Sequence, residues 1–280
     1  MEIKSLEGIA FDRLADAFMD AFADYDIVID RPQLQAMLTR RGFNPELSFA
    51  AFDNGRIVSF TFNGTGVFDG QPTAYDTGTG TVARYRGQGL AGRIFEYATP
   101  RLVQAGISRY ILEVLQNNRA AINVYGKMGF VETRQFNCYF QECAHITPHK
   151  EGAVELRRIT TDRLPAAGMF HDFAPSWQNS HESIIRAGDT LIATGAFING
   201  RLAGYSVVEP ASGDLTQIAV DPGLRRRGIG CALLSRAAGD SRTGSLKAIN
   251  IVPSCHSLNS FLLSAGMEVR NTQFEMELKF

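Results

Sequence analysis

The sequence predicts a mixed α/β fold, a central sheet flanked by helices, built twice along one chain. Three observations carry that expectation. An Arg-x-x-Gly-x-Gly/Ala run stands at a strand-to-helix junction at Arg86–Ala91 and again at Arg225–Gly230, 139 residues later in a chain of 280. Around each run the same order of elements recurs, which is the mark of a duplicated unit. The bulk composition, 45% hydrophobic and 20% charged with a formal net charge of −1, is that of an ordinary soluble globular protein. It lends no support to a nucleic-acid or polyanion partner.

In the first half, Glu2–Leu6 reads as a short strand. Asp12–Phe22 carries Leu14, Ala17, Phe18 and Phe22 at helical spacing, and Pro32–Arg40 reads as a helix opened by proline in its first turn. Leu47–Ala51 and Arg56–Phe62 are strand-like and flank Asn54-Gly55, a type I′ hairpin signal. A further strand pair is expected over Gly66–Val82, turning at Asp69-Gly70. After the Arg/Gly loop come a helix to about Ala105 closed by Gly106, a strand at Tyr110–Leu115, a helix over Asn118–Met128 and a final strand pair from Phe130.

The second half replays this. Val154–Ile159 is a strand, and a compressed helical region follows around Pro175–Ser180. A hairpin turns at Asn199-Gly200, and a strand leads to Val220 and the loop. A helix, a strand at Leu246–Val252, a helix over Ser257–Ala265 and a closing strand Thr272–Phe280 complete it. Ala144–Gly152, with Pro148, reads as the linker, which divides the chain into domains 1–147 and 148–280. The start lacks the basic-then-apolar design of a signal peptide, and no apolar run reaches the length that spans a bilayer. Cys138, Cys143, Cys231 and Cys255 show no metal-ligand spacing and read as reduced thiols in a cytoplasm; no metal site is expected.

The loops carry the chemistry. A glycine without a Cβ lets backbone amides approach a ligand, and the first turn of the following helix leaves its N–H groups unpaired at the positive end of the dipole. Together they form a site for a diphosphate. The nucleotide alternatives lack their context: no Gly-x-Gly-x-x-Gly follows an early strand, and no Gly-Lys-Ser/Thr occurs.

A second block, Asn117 to Phe130, reads Asn-x-x-Ala-x-x-x-x-Tyr with Gly-Phe four residues on. At that spacing after the loop, the chain resembles the GNAT acyl-CoA-dependent N-acetyltransferase superfamily, as two tandem units over nearly its whole length. The resemblance implies two α/β (α+β mixed sheet) domains, each splayed in the middle, with acetyl-CoA or another acyl-CoA lying in the splay. It implies that the amides of Gly87, Gln88, Gly89, Leu90 and Ala91, with Arg86, hold the pyrophosphate, and that Thr81 and Val82 pair with the pantetheine arm as an extra strand. Arg225, Arg226, Arg227, Gly228, Ile229 and Gly230, with Val220, match them in the second copy. The family's usual proline before the arginine is Ala83 in the first copy and Pro222 in the second.

Tyr125 stands where the family places its general acid, and a phenol near pKa 10 can protonate a thiolate whose thiol titrates near 8.5. A tyrosine packed on the inner helix face is the structural alternative. Asn118 reads as a cofactor contact or a helix cap. Glu113 lies on the strand face opposite Leu112 and Val114. Its spacing before Tyr125 resembles that of the catalytic Glu of bacterial N-terminal-alanine acetyltransferases of ribosomal proteins, so it is the candidate base for the amine, with Asp76 a second. A surface salt-bridged Glu is the structural alternative.

The second copy departs from the pattern: Leu262 matches Tyr125 and Cys255 matches Asn118. It keeps the phosphate site without the acid. The first copy is therefore expected to be the catalytic N-acetyltransferase, acting on a primary amine by direct attack. The alternatives are a non-catalytic acyl-CoA-binding or regulatory protein, or catalysis by the C-terminal copy with the N-terminal one structural. Trp177 reads as core or as a substrate wall, and His171 and His181 have no metal spacing. The expected partner is a small-molecule or peptide amine, with no nucleic acid or membrane. Two pseudo-equivalent domains fit a monomer with an internal pseudo-dimer or a homodimer.

Overall fold

The computed structural model describes residues 1–24, 29–146, 154–161, 164 and 169–280. They pack as two compact units, Met1–Thr133 with Phe274–Phe280, and Arg134–Gln273. Among the described residues no helix is long and apolar enough to cross a membrane.

The first unit runs β1 (Glu2–Ser5), α1 (Phe11–Ala21), α2 (Arg31–Arg40), β2 (Phe49–Asp53), β3 (Arg56–Phe68), β4 (Gln71–Thr81), α3 (Leu90–Gln104), β5 (Arg109–Leu115) and α4 (Arg119–Lys127). Its strands lie in that order across the sheet, and the segment Phe274–Phe280 is added beside β5. Alternation along the strands divides the core. Ala74, Tyr110, Leu112 and Val114 face α3 and α4, whereas Phe52, Phe60 and Phe62 face α1 and α2. Both hairpin turns expected from Asn54-Gly55 and Asp69-Gly70 have positive φ at each residue, as type I′ requires.

One expectation is corrected here. The stretches read as Arg56–Phe62 and the first strand of a later pair are one continuous strand, β3. At Gly64, within that strand, a Cβ would stand 2.0 Å from the Arg41 carbonyl oxygen. The glycine admits another stretch of backbone instead of making a turn.

The second unit contains residues 134–142 of β6 (Val131–Glu142), β7 (Glu155–Ile159), α5 (His181–Ala187), β8 (Ile192–Ile198), β9 (Arg201–Glu209), β10 (Asp214–Val220), α6 (Ile229–Asp240), β11 (Ser245–Ile251), α7 (His256–Ser264) and the first part of β12 (Glu268–Lys279). Here the order is β6-β11-β10-β9-β8-β7. Leu215, Leu234, Leu246 and Leu262 fill the α6/α7 side, and Phe170, Ile184, Tyr205 and Val207 the α5 side. Trp177, 1% exposed, is core, with the Arg186 guanidinium over its ring.

These units depart from a division at residue 147. The strand pair expected from Phe130 is the single strand β6, most of which belongs to the second unit, while the end of β12 belongs to the first. A repeat in element order records which strands exist, not which sheet a closing strand joins. Of the expected linker, Ala144–Ile146 are described and the rest lies outside the described residues.

Candidate active site

In each unit the parallel pairing at the sheet centre is short. β4 pairs β5 only at Thr73–Tyr75 with Arg109–Ile111, and β10 pairs β11 at Asp214 with Lys247. Beyond those points the strands part, leaving the backbone edges of residues 76–81 and 215–220 without a parallel partner on that side. A bulge sits at each parting: Thr77 is the extra residue of β4 against β3, and Thr216 the extra residue of β10 against β9. Both threonines are buried, and neither hydroxyl has a partner among the described residues.

The Arg/Gly loops follow. Each begins with a short 3₁₀ turn, Ala83–Tyr85 and Pro222–Leu224, so the first copy's missing proline changes little locally. Gly89 and Gly228 then take left-handed φ of 70° and 80° as the N-terminal boundary residues of α3 and α6, and neither helix has a side-chain cap. The first-turn N–H groups are thus left for an external acceptor. Leu90 and Ile229 bury their side chains beside these open ends. Gly87 (φ 74°) is matched by Arg226, which holds φ 65° despite its side chain. Gly230 has a different reason to be glycine: a Cβ would lie 3.2 Å from the Phe261 ring.

Arg86 and Arg225 are engaged by acidic and carbonyl partners within their own units. Arg86 donates to both Asp24 carboxylate oxygens (2.5 and 2.8 Å), to the Ala21 carbonyl (2.8 Å) and, through Nε, to the Thr81 carbonyl (3.1 Å). Arg225 repeats this with Asp172 (3.0 Å to each oxygen), the Phe170 carbonyl (3.4 Å) and the Val220 carbonyl (3.1 Å). The Arg86 hydrogen bond holds the Asp24 carboxyl below its usual range. Burial works against ionisation of Asp172, yet bonds from Ser257 and Arg225 hold it low as well. The arginines brace the loops by charge-assisted bonds.

On the first unit's α4, Asn118 is the N-cap, its side chain accepting from the Ala121 N–H at 3.1 Å. Tyr125, in the last turn of the helix, donates its phenol proton to Asp76 Oδ2 at 3.1 Å. Asp76 also accepts from the Gly78 N–H (2.9 Å) and the Thr79 hydroxyl (2.7 Å). Burial pushes its carboxyl above the ordinary value, against the pull of those three donors and of Arg41. On the opposite sheet face Glu113 accepts a hydrogen bond from Tyr75. Burial and the Glu113 charge raise the Tyr75 phenol well above its usual value, so it stays a donor. The splay therefore has a phenol–carboxylate pair on each face. The sequence offers Glu113 and Tyr125 as separate groups without their partners, because contacts between strands, or between a strand and a helix, leave no local spacing to read.

In the second unit Leu262 and Leu215 occupy the positions of Tyr125 and Asp76, and both are core. Cys255 precedes α7 without capping it. A cavity of about 660 Å³ nevertheless lies along residues 218–220, the Arg226–Gly230 loop and the face of α7.

The GNAT acetyltransferase family model matches residues 11–130 and 154–259. The chain belongs to the GNAT acetyltransferase family. It has the GNAT fold in tandem: a tandem GNAT protein from the clavulanic acid biosynthesis pathway covers 99% of it at a TM-score of 0.72, with 16% identity and 98% of that protein covered. A GCN5-related N-acetyltransferase from Sphaerobacter thermophilus covers 99% at 0.71 with 13% identity and 95% of its own chain covered. Among curated relatives, N-alpha-acetyltransferase 30 of Schizosaccharomyces pombe is 29% identical over 97 residues, 34% of this chain and 65% of that protein. N-alpha-acetyltransferase MAK3 of Arabidopsis thaliana is 26% identical over 96 residues, 34% of this chain and 50% of that protein. The chain thus spans less than two thirds of the length of either.

Proposed function

We propose that the first unit transfers the acetyl group of acetyl-CoA to a primary amine by direct attack, and that the amine is the α-amine of a peptide N-terminus. The observation that carries this reading is the Tyr125 phenol beside the parting of β4 and β5, on the same splay as Glu113. In this reading the amides from Gly87 to Ala91, in the loop and the first turn of α3, take the pyrophosphate, and Thr81 and Val82 offer the pantetheine arm a strand edge. Arg86 holds the loop in shape, as Arg225 does in the second unit, where Val220 and Arg226–Gly230 form a like site. Asn118 orders the start of α4. Glu113 takes the amine's proton, and Tyr125 gives its own to the departing sulfur, so the products are an amide and a thiol. A peptide α-amine near pKa 8 asks less of a carboxylate base than lysine near 10.4. The names of the curated relatives favour the same acceptor class.

The test is acetyl transfer from acetyl-CoA to a peptide with N-terminal alanine, beside a peptide whose only amine is a lysine side chain. Tyr125→Phe is expected to lower kcat on the order of a hundredfold with KM little changed. Glu113→Gln is expected to lower kcat most at low pH, where the amine is protonated. Equal rates on both peptides would overturn the acceptor class, and an unchanged kcat in Tyr125→Phe the role of the acid.

A further inference from the structure

We infer that the second unit holds its own proton-transfer centre, built on His171 instead of a tyrosine, which serves acyl transfer from a thioester in that unit's cleft to an amine. This goes beyond the reading above and shares with it only the acyl-CoA donor.

Two spaces meet at this residue. The larger cavity follows the strand edge and the loop that match a pantetheine arm and a pyrophosphate. A smaller one, about 30 Å³ and so roomy enough for one small polar group, lies further in, between Gln217 and Leu262. His171, Phe173, Ile218 and Leu258 line both, and among the described residues lining the smaller one His171 carries the sole imidazole. The acid position itself, Leu262, offers no proton.

The hydrogen bonds fix the histidine's tautomer. Gln217 gives its amide N–H to the Asn179 carbonyl at 2.7 Å, which turns its Oε1 toward Tyr205. The Tyr205 phenol donates to that oxygen at 3.0 Å. Its own oxygen is then the acceptor for His171 Nε2–H at 2.6 Å. Nε2 carries the proton, and Nδ1 keeps a lone pair with no partner among the described residues. The ionisable groups around the ring are the Tyr205 phenol, Asp172 and, paired with Asp172, Arg225. Burial lowers the imidazole's pKa more than Asp172 raises it, so the ring is neutral at pH 7. Burial likewise raises the Tyr205 phenol, which stays protonated. The Thr216 hydroxyl, 4% exposed and unpartnered, lines the same small cavity and is a donor for the oxygen of an acyl group placed there.

The step balances on this one ring. The amine nitrogen attacks the acyl carbon and the C–S bond breaks. Nδ1 takes the proton from the nitrogen and, as imidazolium, returns it to the thiolate. The ring ends neutral, and an amide and a free thiol leave.

The test uses the full chain with Tyr125→Phe and Glu113→Gln in place, acetyl-CoA as donor, hydroxylamine as the probe nucleophile, and released thiol as readout. We expect turnover that Gly228→Glu abolishes. A further His171→Gln, which keeps an N–H for Tyr205 but has no basic nitrogen, should lower it at least tenfold. Acetyl-CoA affinity by calorimetry and the unfolding midpoint should stay as in the parent. At a fixed concentration of unprotonated hydroxylamine, the rate should rise with pH through one ionisation below the ordinary imidazole value of about 6.5 and lose that step in His171→Gln. Thiol release no greater than that of the Gly228→Glu control, or a His171→Gln variant as fast as its parent, would overturn the inference. Neither result bears on the first unit, which Tyr125→Phe tests alone.

Discussion

The two helix-start loops are alike where they are made of backbone, and the two units differ where they are made of side chains. Gly89 and Gly228 share a left-handed turn, Arg86 and Arg225 share an Asp and two carbonyls, and Thr77 and Thr216 share a bulge. One sheet-width away, the hydrogen-bonded pair Tyr125–Asp76 of the first unit is the apolar pair Leu262–Leu215 of the second. Both members changed together, as burial demands: a carboxylate left without its phenol is costly, whereas two leucines satisfy each other. A phosphate site built from amides tolerates wide change in side chains, while a proton-transfer pair changes as a whole or not at all.

The comparison can be broken most sharply at the loops. Gly89→Glu adds a carboxylate and a strained left-handed residue at one helix start, Gly228→Glu at the other. Each is expected to weaken acetyl-CoA binding in its own unit at least a hundredfold, about 2.7 kcal/mol, by calorimetric titration. Two sites, each lost with its own variant, would make both units cofactor modules. A single site lost with Gly228→Glu alone would move the donor to the second unit.

Next comes the pair itself. Asp76→Leu with Tyr125→Leu copies the second unit's solution into the first. Its destabilisation in urea should be smaller than the sum of the two single variants by about 1 kcal/mol or more. Additive losses would show that the pair is not a unit.

A subtler effect lies in pH. Because the folded Asp76 carboxyl titrates above its ordinary value of about 3.9, the native state binds a proton that the unfolded chain has released. Stability from this group therefore falls as pH rises from about 3.9 to the raised value and stays reduced above it. Asp76→Asn should gain on the parent across that window and match it below. A gain that grew toward acid pH would reverse the sign and the assignment.

The smallest effect belongs to the first glycine. Gly87→Arg should cost about 1 kcal/mol for the left-handed backbone, since nothing lies within 4 Å of the new Cβ. Arg226→Gly should change stability by less, because relief of the same strain is offset by a more flexible unfolded chain. Equal and large changes in both would mean that the loops are built differently.

What the sequence made legible was local. The Asn-Gly turns, the cap at Asn118, the helix stop at Gly106 and the alternation that sends Glu113 and Leu112 to opposite faces rest on neighbours within a few residues. The Asn118 side chain caps α4 by accepting from the Ala121 N–H. What stayed hidden was distant in sequence. Arg86 is held by Asp24, 62 residues away, a pairing with no local signal. His171 carried no signal, because Tyr205, Gln217 and Asn179 give it meaning only through the fold.

The placement of Phe274–Phe280 in the first unit has a consequence for biosynthesis. A ribosome delivers the first 133 residues of that unit long before the strand that finishes its sheet, and every residue of the second unit comes between. Until then Met276, which is 2% exposed in the native core, is missing from beneath α3 and α4, and β5 has a bare edge. The half that is made first is completed last, so the emerging chain must keep an open strand edge from sticking to its neighbours while the second unit folds.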